Sequence, residues 1–183
     1  MLYPFDLRTV GIAVGILLVS GHAFALWRGA WCRNALAGFP RSRVAGVVLL
    51  AIAAAWSFLL IRSMDLGEFA SLRGVMMFAI AVGAVLTAVY VPEFLAVRSL
   101  GMLALLAAEP LLGAAFLRPE VSRLLVVTLA YIWIFAGLFW VGMPFLLRDQ
   151  LGWLLARPVR FHAAAWAGIG YGAAILACAL ALW

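Results

Sequence analysis

Six apolar runs, each close to the length that crosses a hydrocarbon core of roughly 30 Å, take up most of the chain and leave only short polar links between them. They fall near residues 10–27, 44–61, 75–91, 94–117, 124–147 and 163–183. Such runs read as transmembrane helices. With 68% hydrophobic and 11% charged residues, the chain stands far from soluble domains, which are about half apolar and a quarter charged. The expected fold class is therefore all-α: a polytopic transmembrane helical bundle of about six helices with short loops. Too little chain lies between the runs for a soluble domain, so residues 1–183 are expected to form a single integral membrane domain.

The third and fourth runs are joined only by Val91, Pro92 and Glu93. Proline suits the first turn of a new helix and an acid suits its positive end, so a tight helical hairpin is expected there. Near the first run, Ala23-Phe24-Ala25 imitates a signal-peptide cleavage site; the segment is nevertheless read as a retained transmembrane helix.

Arginine carries the orientation, because the chain has no lysine. The connections after spans one, three and five hold Arg28, Arg33, Arg41, Arg43, Arg98, Arg148, Arg157 and Arg160, against Arg8, Arg62, Arg73, Arg118 and Arg123 on the other side. The positive-inside rule then places the first group in the cytoplasm and both termini in the periplasm or outside the cell, for a multi-pass protein of a bacterial inner (cytoplasmic) membrane. The net charge of +6 is met by anionic lipid rather than by nucleic acid, for which no folded basic surface is expected. Two of the connections read as helices lying on the membrane. Trp27 and Trp31 sit four residues apart among arginines, and Leu151, Trp153, Leu154 and Val159 are interspersed with Arg148, Arg157 and Arg160. Trp27, Trp31, Trp153, Arg157 and Arg160 are thus the expected interfacial anchors.

Residue chemistry excludes more than it suggests. Without lysine there is no Schiff-base chemistry with retinal or pyridoxal, nor a lysine nucleophile. Cys32 and Cys178 lie toward opposite faces, which leaves neither a disulfide nor a two-thiolate metal site. The acids Asp6, Asp65, Glu68, Glu93, Glu109, Glu120 and Asp149 are scattered, HExxH and GxSxG are absent, and no pair of acids lies within the spans. No enzyme and no cofactor are expected. His22 and His162 come to similar depth and are the only candidates for axial haem ligands; structural histidines are the simpler reading.

Glu109 is the one acid well inside a span, in the run SLGMLALLAAEPLLGAAF. Insertion scales charge roughly 2.5–3.5 kcal/mol for such a group, so it calls for a partner or a purpose. Arg98 lies eleven residues earlier, about three turns plus 20°, and so shares its face; at about 16 Å along the axis it is too far for a salt bridge and is expected to reach the headgroups. Pro110 removes a backbone donor and is expected to kink the helix, freeing the carbonyl of Leu106. Three fates are open to Glu109: a hydrogen bond with Tyr131, Thr128, Tyr171 or Ser57, a proton or cation site, or contact with a charged group on another subunit.

Small residues mark close helix packing at Gly11 and Gly15, and at Ala164, Gly168 and Gly172 with Gly170 between. The fifth span carries two aromatic stripes, Tyr131, Phe135 and Phe139, and Trp133 and Trp140, expected to face core or lipid. An echo between residues 43–50 and 123–130 hints at two inverted halves. Two functions fit these features. One is a non-catalytic integral subunit or scaffold of a larger membrane complex, partnered by other subunits or by copies of itself within the lipid bilayer. The other is a small-solute, ion or proton carrier using Glu109. In size and span count the chain is similar to the substrate-binding components of energy-coupling vitamin transporters, a likeness of architecture that no motif carries.

Overall fold

The computed structural model describes residues 5–183. Among these there are no strands, and six helices are long and apolar enough to cross a membrane, which makes the chain an all-α, multi-pass bundle. In chain order the helices are α1 (Leu7–Trp27), α2 (Gly29–Gly38), α3 (Arg43–Ser63), α4 (Arg73–Tyr90), α5 (Leu95–Ala115), α6 (Leu124–Gly142), α7 (Phe145–Leu155) and α8 (Pro158–Ala181). The first and fifth connections each carry a short helix, α2 and α7, but Trp27 belongs to α1, and Val159 and Arg160 belong to α8.

Several boundaries differ from the sequence expectation, each for a local reason. The fifth membrane helix ends at Gly142, because Pro144 has no N–H to continue it, and the apolar residues beyond belong to α7. The sixth begins at Pro158 rather than 163. Its N-cap Arg157 is extended, and proline fills the first helical position, where a missing donor costs nothing. The third starts earlier, since a 3-10 helix, Gly67–Leu72, runs directly into α4. Pro92 does not open α5: the turn ends on Phe94 in the left-handed region (φ 54°), and the helix starts at Leu95. Pro110 lies inside α5 without ending it.

The centre of the bundle is α5. Along its length it packs against α6 on one side and α3 on the other, and it also touches α1. The core joins Leu7, Val10 and Val14 of α1 to Ala108, Leu111 and Ala115 of α5, Val126 and Ala130 of α6, and Ile175 of α8. Antiparallel α1 and α8 close on each other through the expected small residues. A Cβ at Gly15 would come within 3.0 Å of the Gly172 carbonyl oxygen, and one at Gly172 within 3.1 Å of that of Gly15. These glycines therefore serve contacts inside the chain.

Two other crossings were not anticipated. At α5–α6, Gly101 and Gly137 face each other, and a Cβ on either would lie 2.9 or 2.8 Å from the other's carbonyl oxygen. At α3–α5, Gly46 leaves room for Leu95 and Ala96, and the fully buried Ser99 donates its hydroxyl to the Gly46 carbonyl at 3.1 Å.

The expected α4–α5 hairpin does not close into a packed pair. Instead α4 leans on α3, and a crevice of about 410 Å³ remains between α3, α4 and α5, lined by Ala53, Ser57, Gly83, Thr87, Met102 and Leu106 among others. No residue of α4 is buried within the chain. The inverted-halves reading finds no support in the packing, because α5 and α6 pack along their length while their counterparts α1 and α3 do not.

Candidate functional site

Glu109 stands on the outward-turned face of α5, where Leu105, Leu112, Gly113 and Phe116 fall at helical spacing around it. Together with Ala108 and Ile134 of α6 they line a groove of about 370 Å³ on the flank of the bundle. Gly113 keeps it open beside the carboxylate, since a Cβ there would meet only Glu109 Oε1, at 3.9 Å. Glu109 is six residues from the end of α5, roughly 9 Å along the axis, and so lies off the middle of that helix.

Among the described residues the carboxylate has no partner for one of its oxygens: Oε2 is buried and accepts no hydrogen bond from them. None of the four hydroxyls that the sequence offered takes up that role. The Tyr171 hydroxyl donates to the Leu125 carbonyl at 2.7 Å, tying α8 to α6. Ser57 lies in the separate crevice against α4. Tyr131 and Thr128 are exposed on α6, where Tyr131 is one turn from Ile134 at the groove.

Two arginines that follow α5 are engaged elsewhere. Arg118 pairs with Asp6, and Arg123 Nη1 donates to the Ala115 carbonyl at the end of α5, 3.0 Å away.

Arg98 has a different task from the one expected. Its Nη1 donates to the Val141 carbonyl at 2.7 Å, which places a full positive charge on the C-terminal end of α6. The pattern recurs. Arg33 Nη2 donates to the Leu155 carbonyl (3.3 Å) and Arg160 Nη1 to that of Trp153 (3.0 Å), both at the end of α7; Arg73 reaches the carbonyls of Arg62 and Met64 at the end of α3, each at 2.9 Å. Sequence reasoning missed this use of arginine. The only signal was position, in that each of these arginines lies at or near the end of an apolar run.

The histidines do not form a shared site. His22 Nδ1 lies 2.7 Å from the Leu18 carbonyl, and its ring fills the space over Gly168, where a Cβ would come within 2.5 Å of it. His162 Nδ1 is 2.7 Å from the Pro158 carbonyl on its own helix. A carbonyl only accepts, so in both rings Nδ1 carries the proton. His22 lines a cavity of about 450 Å³ with Phe161 and Ala164, and His162 has no part in it. Among the described residues, no three His, Cys, Asp or Glu side chains cluster as metal ligands would.

At the end of the bundle carrying α2 and α7, Trp27, Trp31 and Trp153 are all well exposed. Phe24 stands edge-on to both Trp27 and Trp31, and Arg160 lies 4.3 Å over the Trp153 ring. Arg157 is exposed at the N-cap of α8. The aromatic stripes of α6 divide. Tyr131, Phe135 and Phe139 face outward, whereas Trp133 packs on the core and Trp140 donates to Gln150 at 3.3 Å. No protein family matches the chain, and neither a curated protein nor a solved structure is significantly similar to it.

Proposed function

We propose that the protein is a non-catalytic integral subunit of a larger assembly in a bacterial inner membrane, joined to a neighbouring subunit through the α5–α6 flank around Glu109. The observation that carries this reading is the carboxylate oxygen, buried and without a hydrogen bond among the described residues, in a groove whose other described lining is apolar. Polar groups in hydrocarbon act as glue between helices because each gains more from a partner there than from lipid. A transmembrane helix presenting an arginine, a lysine or a hydroxyl at the depth of Glu109 would supply what the described residues do not. The outward aromatic stripe on α6, Tyr131 above all, supports a protein neighbour, since aromatic residues are enriched at interfaces.

A carrier draws less support. Solute sites need several polar side chains converging, and among the described residues Glu109 is the sole polar side chain lining its groove, while Ser57 and Thr87 line another.

Purification of the native protein in gentle detergent tests the proposal: a stoichiometric second chain should co-purify and be lost from Glu109→Leu. That substitution removes the carboxylate without breaking an ion pair inside the described chain. A lone monodisperse chain overturns the subunit reading, and a partner that stays bound to Glu109→Leu removes the residue from the contact. If the isolated chain in vesicles moves protons or a solute, and Glu109→Gln abolishes that flux, the carrier reading replaces it.

A further inference from the structure

A second site lies at the other end of the molecule, between the C-terminal part of α2 and α7. Here a cleft of about 390 Å³ has an apolar floor, with Ala37 and Pro40 on one wall and Leu151 and Leu155 on the other, and carries two guanidinium groups, Arg41 and Arg148. Arg41 is exposed and makes no hydrogen bond or ion pair among the described residues. Arg148 Nε and Nη2 lie 2.9 and 2.8 Å from Asp149 Oδ1, and the group stands 5.9 Å from the centre of the Phe94 ring, so it is held in place with Nη1 free. Asp149 lines a neighbouring groove with Gln150 and Trp153, so two guanidinium groups at the cleft stand against one carboxylate beside it, and the net charge is positive.

We infer that this cleft seats the phosphate of an anionic phospholipid between Arg41 and Arg148, with the glycerol and the start of the acyl chains along Leu151 and Leu155. Two forked donors over an apolar wall fit a phosphodiester that carries a tail. The setting also favours a lipid over a free anion. Membrane helices end at this level, each of the two helices that form the cleft carries an exposed tryptophan (Trp31 and Trp153), and basic pockets between helices at a membrane surface take anionic headgroups.

The cleft has a built-in control in Gly152, which lines it from a helical position where an added Cβ would meet nothing within 4 Å. Gly152→Phe should fill the cleft while leaving both arginines and the fold intact, as glycine is a poor helix residue.

Detergent-purified full chain, exchanged with phosphatidylglycerol or phosphatidylcholine of the same acyl chains and read by native mass spectrometry, should retain the anionic lipid with roughly tenfold preference. Arg41→Gln with Arg148→Gln should lose that preference, as should Gly152→Phe, with thermal unfolding unchanged in both; Arg41→Lys should keep part of it. Equal retention of the two lipids by the unaltered chain, or an unchanged preference in Gly152→Phe and in the double arginine variant, overturns the inference. Displacement of the lipid by millimolar inorganic phosphate would identify a free-anion site and overturn the lipid assignment.

Discussion

A helix that ends inside a bilayer or at its surface leaves carbonyls that neither the next turn nor bulk water satisfies, and in this chain arginine answers that need repeatedly. The bond from Arg98 to Val141 is the best placed of these, since it joins the first turn of α5 to the last turn of α6 and Arg98 is half-buried. Lysine would serve less well: its single ammonium cannot spread over a fork of donors. Arg98→Ala should lower stability by about 1.5–3 kcal/mol, the range for a hydrogen bond to a charged group, with Arg98→Lys between the two. Reversible unfolding in mixed micelles measures it, and an unchanged midpoint for Arg98→Ala would mean that water caps α6 unaided. Ser99, one residue on, is fully buried and bonds across to Gly46, so the start of α5 is pinned from both neighbouring helices.

Among the elements, the α5–α6 crossing sets the spacing of the bundle centre. Gly101 and Gly137 leave less than 3 Å between each position's missing Cβ and the opposite backbone oxygen, so even one methyl group must push the helices apart. Gly101→Ala and Gly137→Ala should each cost about 1–3 kcal/mol as overpacking. Gly170→Ala, with nothing within 4 Å, should be neutral or stabilise by up to about 1 kcal/mol through helix propensity. Thermal melts of the three variants in one detergent test the contrast, and a Gly101→Ala protein as stable as Gly170→Ala would show that the crossing yields freely. The sequence marked Gly11, Gly15, Gly168 and Gly172 as close-packing positions because they repeat at four-residue spacing, but it did not pair α1 with α8 or choose between contacts inside the chain and contacts between copies. Gly101 and Gly137 do not repeat, and their closeness depends on which helices become neighbours. For the same reason α2 and α7 were legible from their own arginines and tryptophans, while the packing of α4 on α3 rather than α5 was not. Hydropathy overran the end of α6 because it is blind to the donor that Pro144 lacks. At the site, the place of Glu109 inside a helix was legible, and its lack of a hydroxyl partner among the described residues was not, since that turned on where Tyr171 and Ser57 came to lie.

For the whole molecule, the two ends of the bundle differ in charge. One end has Arg8, Arg62, Arg73, Arg118 and Arg123 with the acids Asp6, Asp65, Glu68 and Glu120; the other has eight arginines with only Glu93 and Asp149. Some of these arginines have structural work, and a bias made of helix caps alone would reflect folding rather than orientation. Setting aside the five that cap helices leaves Arg8, Arg62 and Arg118 against Arg28, Arg41, Arg43, Arg148 and Arg157, so the asymmetry persists among the residues with no such work. Because positively charged residues near span ends govern insertion and acids count for little, the end with α2 and α7 should face the cytoplasm. The anionic lipid inferred at Arg41 and Arg148 would then belong to the inner leaflet, whose negative surface potential favours it. A variant with Cys32→Ala and Cys178→Ala offers a clean background, and exposed Glu68 and Gly152 mark opposite ends. In intact spheroplasts a membrane-impermeant maleimide should label Glu68→Cys at once and Gly152→Cys only after permeabilisation. The reverse pattern would invert the protein and put the arginine-rich cleft on the outer face.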